Sequence, residues 1–84
     1  MMKGIDVSEN NGVVDWQAVA DAGIEFAIVR ASYGKTGRDE MFQQNVAGAH
    51  AAGLKVGAYH YSYALDVDDA AQEAENFRAA IDEA

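Results

Sequence analysis

Short runs of apolar residues alternate along the chain with longer stretches in which apolar residues recur every three or four positions. The short runs have the length and β-branched content of strands, and the longer stretches have the period of amphipathic helices. In the first run Ile5 and Val7 are separated by Asp6, which indicates a strand with one polar face. We predict strands at 3–8, 25–32 and 55–63, and helices at 16–22, 40–52 and 68–82.

Capping residues and glycines mark the ends of these elements. Asp15 is a good N-cap for the first helix, and Asp39 can cap the second. Gly23 and Gly53 follow helical patterns at the position where glycine commonly ends a helix. Gly57 lies inside the third strand and indicates a bulge or a close backbone approach. In the third helix the predicted apolar stripe is Ala70, Ala74, Phe77 and Ile81, and most acidic residues lie off it.

The sequence also repeats itself. Ala22-Gly23-Ile24 matches Ala52-Gly53-Leu54, and at the same offset Arg30 matches His60, with Asp6 in the corresponding place in the first strand. Repeated strand–helix units build parallel sheets, and a closed (β/α)8 barrel takes about 250 residues. The predicted fold class is therefore α/β: three consecutive βα units with parallel strands, the first part of a barrel of the TIM type. By the same period a fourth strand is due at about position 90.

Composition limits the possible functions. The chain of 84 residues makes at most one small domain. It has no Cys and two His, so a structural zinc site is disfavoured. Most of the formal charge of −8 lies in residues 66–84, where a solvated helix face is the simplest explanation. No basic patch favours nucleic acid, no apolar run is long enough to span a membrane, and residues 1–3 do not form a signal peptide.

Polar and aromatic side chains gather near the carboxyl ends of the predicted strands, where parallel α/β folds carry their sites. A carboxylate among tyrosines suits a carbohydrate, because the acid can stabilise positive charge at a sugar ring and the aromatic rings can stack on it. Structural explanations remain open: Asp6 could pair with Arg30, His60 could be a hydrogen-bonded structural residue, and the tyrosines could simply pack. Trp16 is expected in the core. The candidate rim residues are Asp6, Ser8, Arg30, Ser32, Tyr33, Tyr59, His60, Tyr61 and Tyr63.

A specific pattern runs through almost the whole chain. It comprises Gly4–Ser8, Asp15-Trp16, Ala22–Ser32, Asp39, Phe42, Asn45, Ala49, Ala52-Gly53, Gly57–Tyr61, Ala71, Gln72, Ala74 and Phe77. Together these residues resemble the opening of glycoside hydrolase family 25, the N-acetylmuramidases or lysozymes of bacteria and their phages. The resemblance implies that residues 1–84 are the N-terminal, incomplete part of a distorted β/α barrel domain. Two departures affect the groove wall: Glu9-Asn10-Asn11 after the first strand, and Tyr33 where many members have Glu.

The resemblance also implies a reaction. Members cleave the β-1,4 bond between N-acetylmuramic acid and N-acetylglucosamine in peptidoglycan, with no metal or organic cofactor. Asp6 matches the family's strand-1 catalytic-site aspartate, and Tyr59 matches a pocket tyrosine; Arg30, Tyr33 and Tyr61 are expected to bind substrate. The family's general acid is a Glu in an Asp-x-Glu motif that these 84 residues do not contain. We therefore expect the chain alone to be inactive, and its parent domain to act outside the cell or at the cell wall.

Two questions stay open at this point. The repeat places Asp6, Arg30 and His60 on one face of the sheet, whereas the resemblance favours Tyr59; a bulge around Gly57 would reconcile them. The alternative function is a non-catalytic peptidoglycan-binding module, or a fragment that associates with itself through its open sheet.

Overall fold

The computed structural model describes residues 3–83. Within these residues seven helices and strands follow one another, with a short 3-10 helix at Glu9–Asn11 after the first strand. The strands are β1 (Gly4–Val7), β2 (Phe26–Tyr33), β3 (Gly37–Arg38) and β4 (Lys55–Tyr61), and the helices are α1 (Trp16–Asp21), α2 (Phe42–Ala51) and α3 (Val67–Glu83). Every strand and helix predicted from the pattern is present.

The sheet is built around β2, which pairs in parallel with β1 on one side and with β4 on the other. The predicted parallel arrangement of three strands is thus confirmed for these elements. The chain also forms a hairpin that the sequence did not predict: β3 pairs antiparallel with the end of β2, with Tyr33 opposite Gly37. The expectation of parallel strands alone was therefore wrong, because the chain turns back after β2 and adds β3 to it as an antiparallel strand.

The core lies on the face of the sheet that the helices cover. Ala27, Val29 and Ala31 of β2 are almost completely buried there. Trp16 of α1 is buried in the same cluster, as predicted, and packs so closely on α2 that a methyl group added at Gly48 would lie 2.3 Å from its indole ring. The small side chains of β2 allow this close packing of helices on the sheet.

Helix ends agree with the sequence prediction in most places. The carboxylate of Asp15 accepts a hydrogen bond from the Ala18 N–H at 3.1 Å, and Gly23 and Gly53 adopt positive φ angles just after α1 and α2. Asp39 is not the N-cap of α2; that position belongs to Met41. Asp39 lies two residues earlier, where it accepts a hydrogen bond from the Met41 N–H at 2.9 Å, and its other oxygen points into the protein.

The buried face of α3 is polar, which corrects the predicted stripe. Ala70, Ala74 and Ile81 are exposed, and of the four predicted residues only Phe77 is partly buried. The residues turned inward are Glu73, Asn76, Phe77 and Ala80. Apolar periodicity failed here because the helix packs against backbone groups: the side-chain amide of Asn76 donates to the carbonyls of Tyr33, Gly34 and Gly37 at 3.0–3.4 Å. No helix in the described range is long and apolar enough to cross a membrane.

The register shift of the sheet lies in β2 and not at Gly57. The pairing of β2 with β4 runs regularly from Phe26 to Arg30, and it slips between Arg30 and Ser32. The hypothesis of a bulge around Gly57 was therefore wrong. Gly57 instead reflects close packing, because an added methyl group there would lie 2.9 Å from the end of the Ile28 side chain.

Candidate functional site

The open face of the sheet, opposite the helices, carries a shallow depression of about 430 Å³ lined by Asp6, Ile28, Tyr59 and Tyr61. The sheet register explains why these residues meet. Asp6 pairs with Ile28, which pairs with Gly57, and Tyr59 and Tyr61 follow Gly57 on the same side of β4 at steps of two residues. One carboxylate from β1 and two tyrosines from β4 therefore share a solvent-accessible wall, with Ile28 of β2 between them.

Asp6 is exposed, and its carboxylate makes neither a hydrogen bond nor an ion pair with any other residue from 3 to 83. The sequence left open a second interpretation, in which Asp6 is a satisfied buried carboxylate paired with Arg30. The structure shows instead that Arg30 is paired elsewhere and that the Asp6 carboxylate is free to meet a ligand. A carboxylate inside a strand with no structural partner is available for chemistry.

Arg30 sits next to the depression and is held in a buried cluster. Its Nε donates to Asp39 Oδ2 at 2.8 Å, and its Nη2 donates to Glu9 Oε1 at 3.0 Å. The guanidinium also lies over the ring of Tyr33, 4.7 Å from the centroid. Burial lowers the pKa of Arg30, but the hydrogen bond and the charge of Asp39, together with Glu9, outweigh it, so the net pKa is raised and the group stays charged.

Tyr59 is affected by charges of both signs. Burial raises the pKa of its phenol, the Arg30 guanidinium acts against this, and the carboxylates of Asp6 and Asp39 act with it, so the net pKa is above the ordinary value. The hydroxyl is therefore neutral near pH 7 and remains a hydrogen-bond donor. Arg30 pairs with Tyr59 across the β2–β4 ladder, and Tyr33 pairs with Tyr61, which brings all four predicted substrate-binding residues to one end of the sheet.

His60 does not belong to this face, and its placement beside Asp6 and Arg30 by the repeat was wrong. Its Nδ1 is 2.7 Å from Ser32 Oγ, and its Nε2 is 2.6 Å from Glu73 Oε1 of α3. Its ring also packs against Phe77 at 5.8 Å between centroids. The structural interpretation of His60 is the correct one, because the imidazole is hydrogen-bonded on both nitrogens among the helices.

Sequence reasoning missed Glu9, Asp39 and Glu73 as parts of this region. Asp39 was interpreted as a cap, and Glu9 only as part of a departure after the first strand, although both contact Arg30. One signal was present: an arginine inside an apolar strand needs a carboxylate partner when buried, and Asp39 follows it within ten residues. For Glu73 there was no such signal, because its partners lie in a different element.

A second depression of about 300 Å³ lies on the helix-covered side, between α2, α3 and Arg38. Two of its three acidic residues are paired with arginines: Asp39 with Arg30 at 2.8 Å, and Glu83 with Arg38 at 3.4 Å. Within residues 3–83 no group of three or more His, Asp or Glu side chains could hold a metal ion. The free carboxylate of Asp6 makes the open face the stronger candidate site.

The three parallel strands carry helices on one face of the sheet. On the other face a carboxylate and tyrosines lie near the carboxyl ends of the strands, which is where α/β proteins carry their sites. The family model described as Glycosyl hydrolases family 25 matches residues 5–84, and the chain belongs to this family. The autolytic lysozyme of Clostridium acetobutylicum is 42% identical over 76 residues, covering 90% of this chain and 22% of that protein.

Solved structures agree. The CTP1L endolysin superposes with a TM-score of 0.90 at 36% identity, covering 96% of this chain and 30% of the other. The autolysin LytC of Streptococcus pneumoniae, solved with a synthetic peptidoglycan ligand, superposes with a TM-score of 0.86 at 32% identity, covering 98% of this chain and 19% of the other. The chain spans about a fifth of the length of the curated relatives it matches.

Proposed function

We propose that this chain is the N-terminal part of a peptidoglycan hydrolase domain, an N-acetylmuramidase, and that its sheet continues into a β/α barrel in the complete domain. Membership of glycosyl hydrolase family 25 over residues 5–84 supports the reaction class. The single observation that carries the site assignment is the unpaired, exposed carboxylate of Asp6 beside Tyr59 and Tyr61.

In this proposal Asp6 stabilises positive charge at the sugar, or orients its acetamido group, during cleavage of the β-1,4 bond. The phenols of Tyr59 and Tyr61 supply a hydrogen-bond donor and a flat stacking surface. Arg30 and Tyr33 form the adjoining wall. A glycosidase also needs a proton donor for the leaving oxygen, and no Asp-x-Glu motif occurs in the 84 residues. We therefore propose that residues 1–84 alone do not cleave peptidoglycan.

The proposed substrate fixes the place of action. A glycan strand of peptidoglycan is met outside the cytoplasm, so the parent domain would act on the cell wall after secretion or phage release. The autolytic lysozyme and the endolysin found by comparison carry names consistent with such action. The proposed mechanism relies on carboxyl and phenol groups and calls for neither a metal nor an organic cofactor.

A chimera tests the proposal. Residues 5–84 replace the matching segment of the Clostridium acetobutylicum lysozyme, and lysis of purified cell walls is measured. We expect activity, and we expect Asp6→Asn to reduce the rate by at least about a hundredfold. Asp68→Asn, at an exposed position of α3, is the matched control. Full activity of the Asp6→Asn chimera would refute the proposed role of Asp6. Lysis by the 84-residue chain alone would refute the proposal that these residues lack the proton donor.

Self-association is the second candidate, because the segment after β4 exposes several large apolar side chains. Leu65 is 92% exposed and Val67 is 84% exposed, and Tyr61 and Tyr63 are also exposed. Covering these side chains and the open sheet with a second copy would bury them without any catalytic role. Sedimentation of the 84-residue chain separates the two ideas: a monomer at high micromolar concentration excludes the pairing.

A further inference from the structure

Tyr59 and Tyr61 of β4 form what we call the tyrosine wall of the open face. Helix α3 places one carboxylate, that of Glu73, on the opposite side of β4. Glu73 is 3% exposed, although it lies on a helix whose other acidic residues are largely solvated. Its Oε1 is 2.6 Å from His60 Nε2, and both of its oxygens accept the Tyr63 N–H at 3.2 Å. We propose that Glu73 is a positioning residue that fixes Tyr59 and Tyr61 for glycan binding by holding His60 and the Tyr63 backbone from behind; this rests on the proposed function.

The hydrogen bonds define the proton arrangement of this cluster. A carboxylate can only accept, so His60 Nε2 must carry a hydrogen and donate it to Glu73. The other ring nitrogen, Nδ1, then either accepts from the Ser32 hydroxyl or, when the ring is charged, donates to it at the observed 2.7 Å. The hydroxyl satisfies both cases by rotating. The row of hydrogen bonds from Ser32 through His60 to Glu73 therefore persists whether His60 is neutral or charged, provided that Glu73 is ionised.

A serine, a histidine and a carboxylate in a row also form the catalytic triad of many hydrolases, and that role fails here. Ser32 is completely buried, so no substrate can reach its hydroxyl. The cluster faces the helices, whereas the depression beside Asp6 lies on the other side of the sheet. Its polar groups contact one another and the backbone, which is the arrangement of a structural network.

The tyrosine wall depends on this network because of strand alternation. His60 stands between Tyr59 and Tyr61 in β4, so fixing its ring on the helix side fixes both phenols on the open side. The Tyr63 N–H is held just beyond the last residue of β4, where no ladder partner is available to it. The rings of Tyr61 and Tyr63 contact each other at 5.2 Å, so movement of one end would be passed along the wall.

The first experiment uses the 84-residue chain with Glu73→Ala, Glu73→Gln and, as a control on the same helix, Glu75→Gln, whose side chain is exposed. Amide hydrogen exchange is followed by NMR. For Glu73→Ala we expect the Tyr63 amide to exchange at least about tenfold faster while β1 is unchanged, because the acceptor is lost. Gln keeps an acceptor oxygen, so exchange in Glu73→Gln should stay within about threefold of the original chain. An unchanged Tyr63 amide, or equal acceleration throughout the chain, overturns the proposal.

The second experiment places the same variants in the lysozyme chimera. We expect Glu73→Ala to raise KM for cell walls by at least about fivefold with a smaller change in kcat, and Glu73→Gln to restore most of the loss. If the chimera is active and its KM is unchanged by Glu73→Ala, the positioning role is overturned. If the original chimera is inactive, the proposed function fails, whereas the exchange experiment still decides whether Glu73 holds the wall.

Discussion

Asp39 is expected to be a large single contributor to the stability of this chain. Its side chain is completely buried, and its oxygens accept from Arg30 Nε at 2.8 Å and from the N–H groups of Glu9 and Met41 at 2.9 Å. Replacing Asp39 by Ala removes all these acceptors at once. The Arg30 guanidinium, only 10% exposed, then keeps Glu9 as its only ionic partner within the described residues.

The magnitude follows from the burial of the pair. Breaking a buried ion pair by removing one partner costs about 3–5 kcal/mol, because the remaining charge is left uncompensated. Glu9 still contacts Arg30 at 3.0 Å and is itself partly solvated, so we place the loss for Asp39→Ala near the lower end, about 3 kcal/mol. Single domains are stable by roughly 0.05–0.15 kcal/mol per residue, which gives about 4–13 kcal/mol for a chain of this length. The substitution therefore removes a large share of the total.

Urea denaturation followed by the fluorescence of Trp16 measures this loss directly, since that indole is buried in the core. Glu40→Ala is the matched control, because it removes a neighbouring but exposed carboxylate. Asp39→Asn keeps the size of the side chain and one acceptor oxygen, so its loss should be smaller than that of Asp39→Ala. A loss below about 1 kcal/mol for Asp39→Ala, or an equal loss for Glu40→Ala, would show that the Arg30 cluster does not stabilise the fold.

Three further outcomes are expected. Gly48→Ala should destabilise by about 1–2 kcal/mol in urea denaturation, although alanine favours helices, because its methyl group overlaps the Trp16 ring; a stabilised variant would contradict this packing. Asn76→Ala should cost about 1–3 kcal/mol and quicken amide exchange in the β2–β3 hairpin, since it leaves three carbonyls without their donor; unchanged exchange would count against that contact. The hydrogen bond from His60 and the Tyr63 N–H hold the pKa of Glu73 below its ordinary 4.5, against the effect of burial. The ionised Glu73 therefore stabilises the fold fully above about pH 4.5, and this stabilisation is lost as the pH falls through the lower pKa of the folded state. On acidification the free energy of unfolding of Glu73→Gln should fall less steeply than that of the original chain, and equally steep falls would contradict this prediction.

The elements of this fold could be predicted from the sequence because their signals are local. Alternation in the strands, the Asp15 cap, and the glycines after two helices each act within a few residues, and each has the predicted role in the structure. The parallel order of the three long strands followed from the repeat. The place of Asp6 near the carboxyl end of the first strand followed from the same reasoning, whereas its lack of an ionic partner did not.

The long-range contacts of polar residues could not be predicted, because periodicity indicates which side of an element is buried but not which residue lies opposite it. Asn76 and Glu73 are polar residues on the inner face of α3, and only the hairpin carbonyls and His60 explain why they are buried. The choice of Asp39 as the partner of Arg30 depends in turn on how the chain leaves β2. These contacts decide which side chains are free, and the free side chains decide where a ligand can bind.

The register shift in β2 determines which of its residues face the open side of the sheet and which face the helices. Before it, Arg30 faces the open side and pairs with Tyr59; after it, Ser32 faces the helices and meets His60. One extra residue, Ala31, is accommodated at this point, so both Ala31 and Ser32 are buried, and Tyr33 returns to the open side beneath the Arg30 guanidinium. Strict alternation would have turned Tyr33 toward the helices and removed its ring from beneath the Arg30 guanidinium. β-Bulges are common beside binding sites, where they re-aim side chains. Here the bulge leaves the open face asymmetric: the tyrosines lie on β4, Arg30 lies on β2, and the Asp6 carboxylate lies on β1 at the other side of the shared depression.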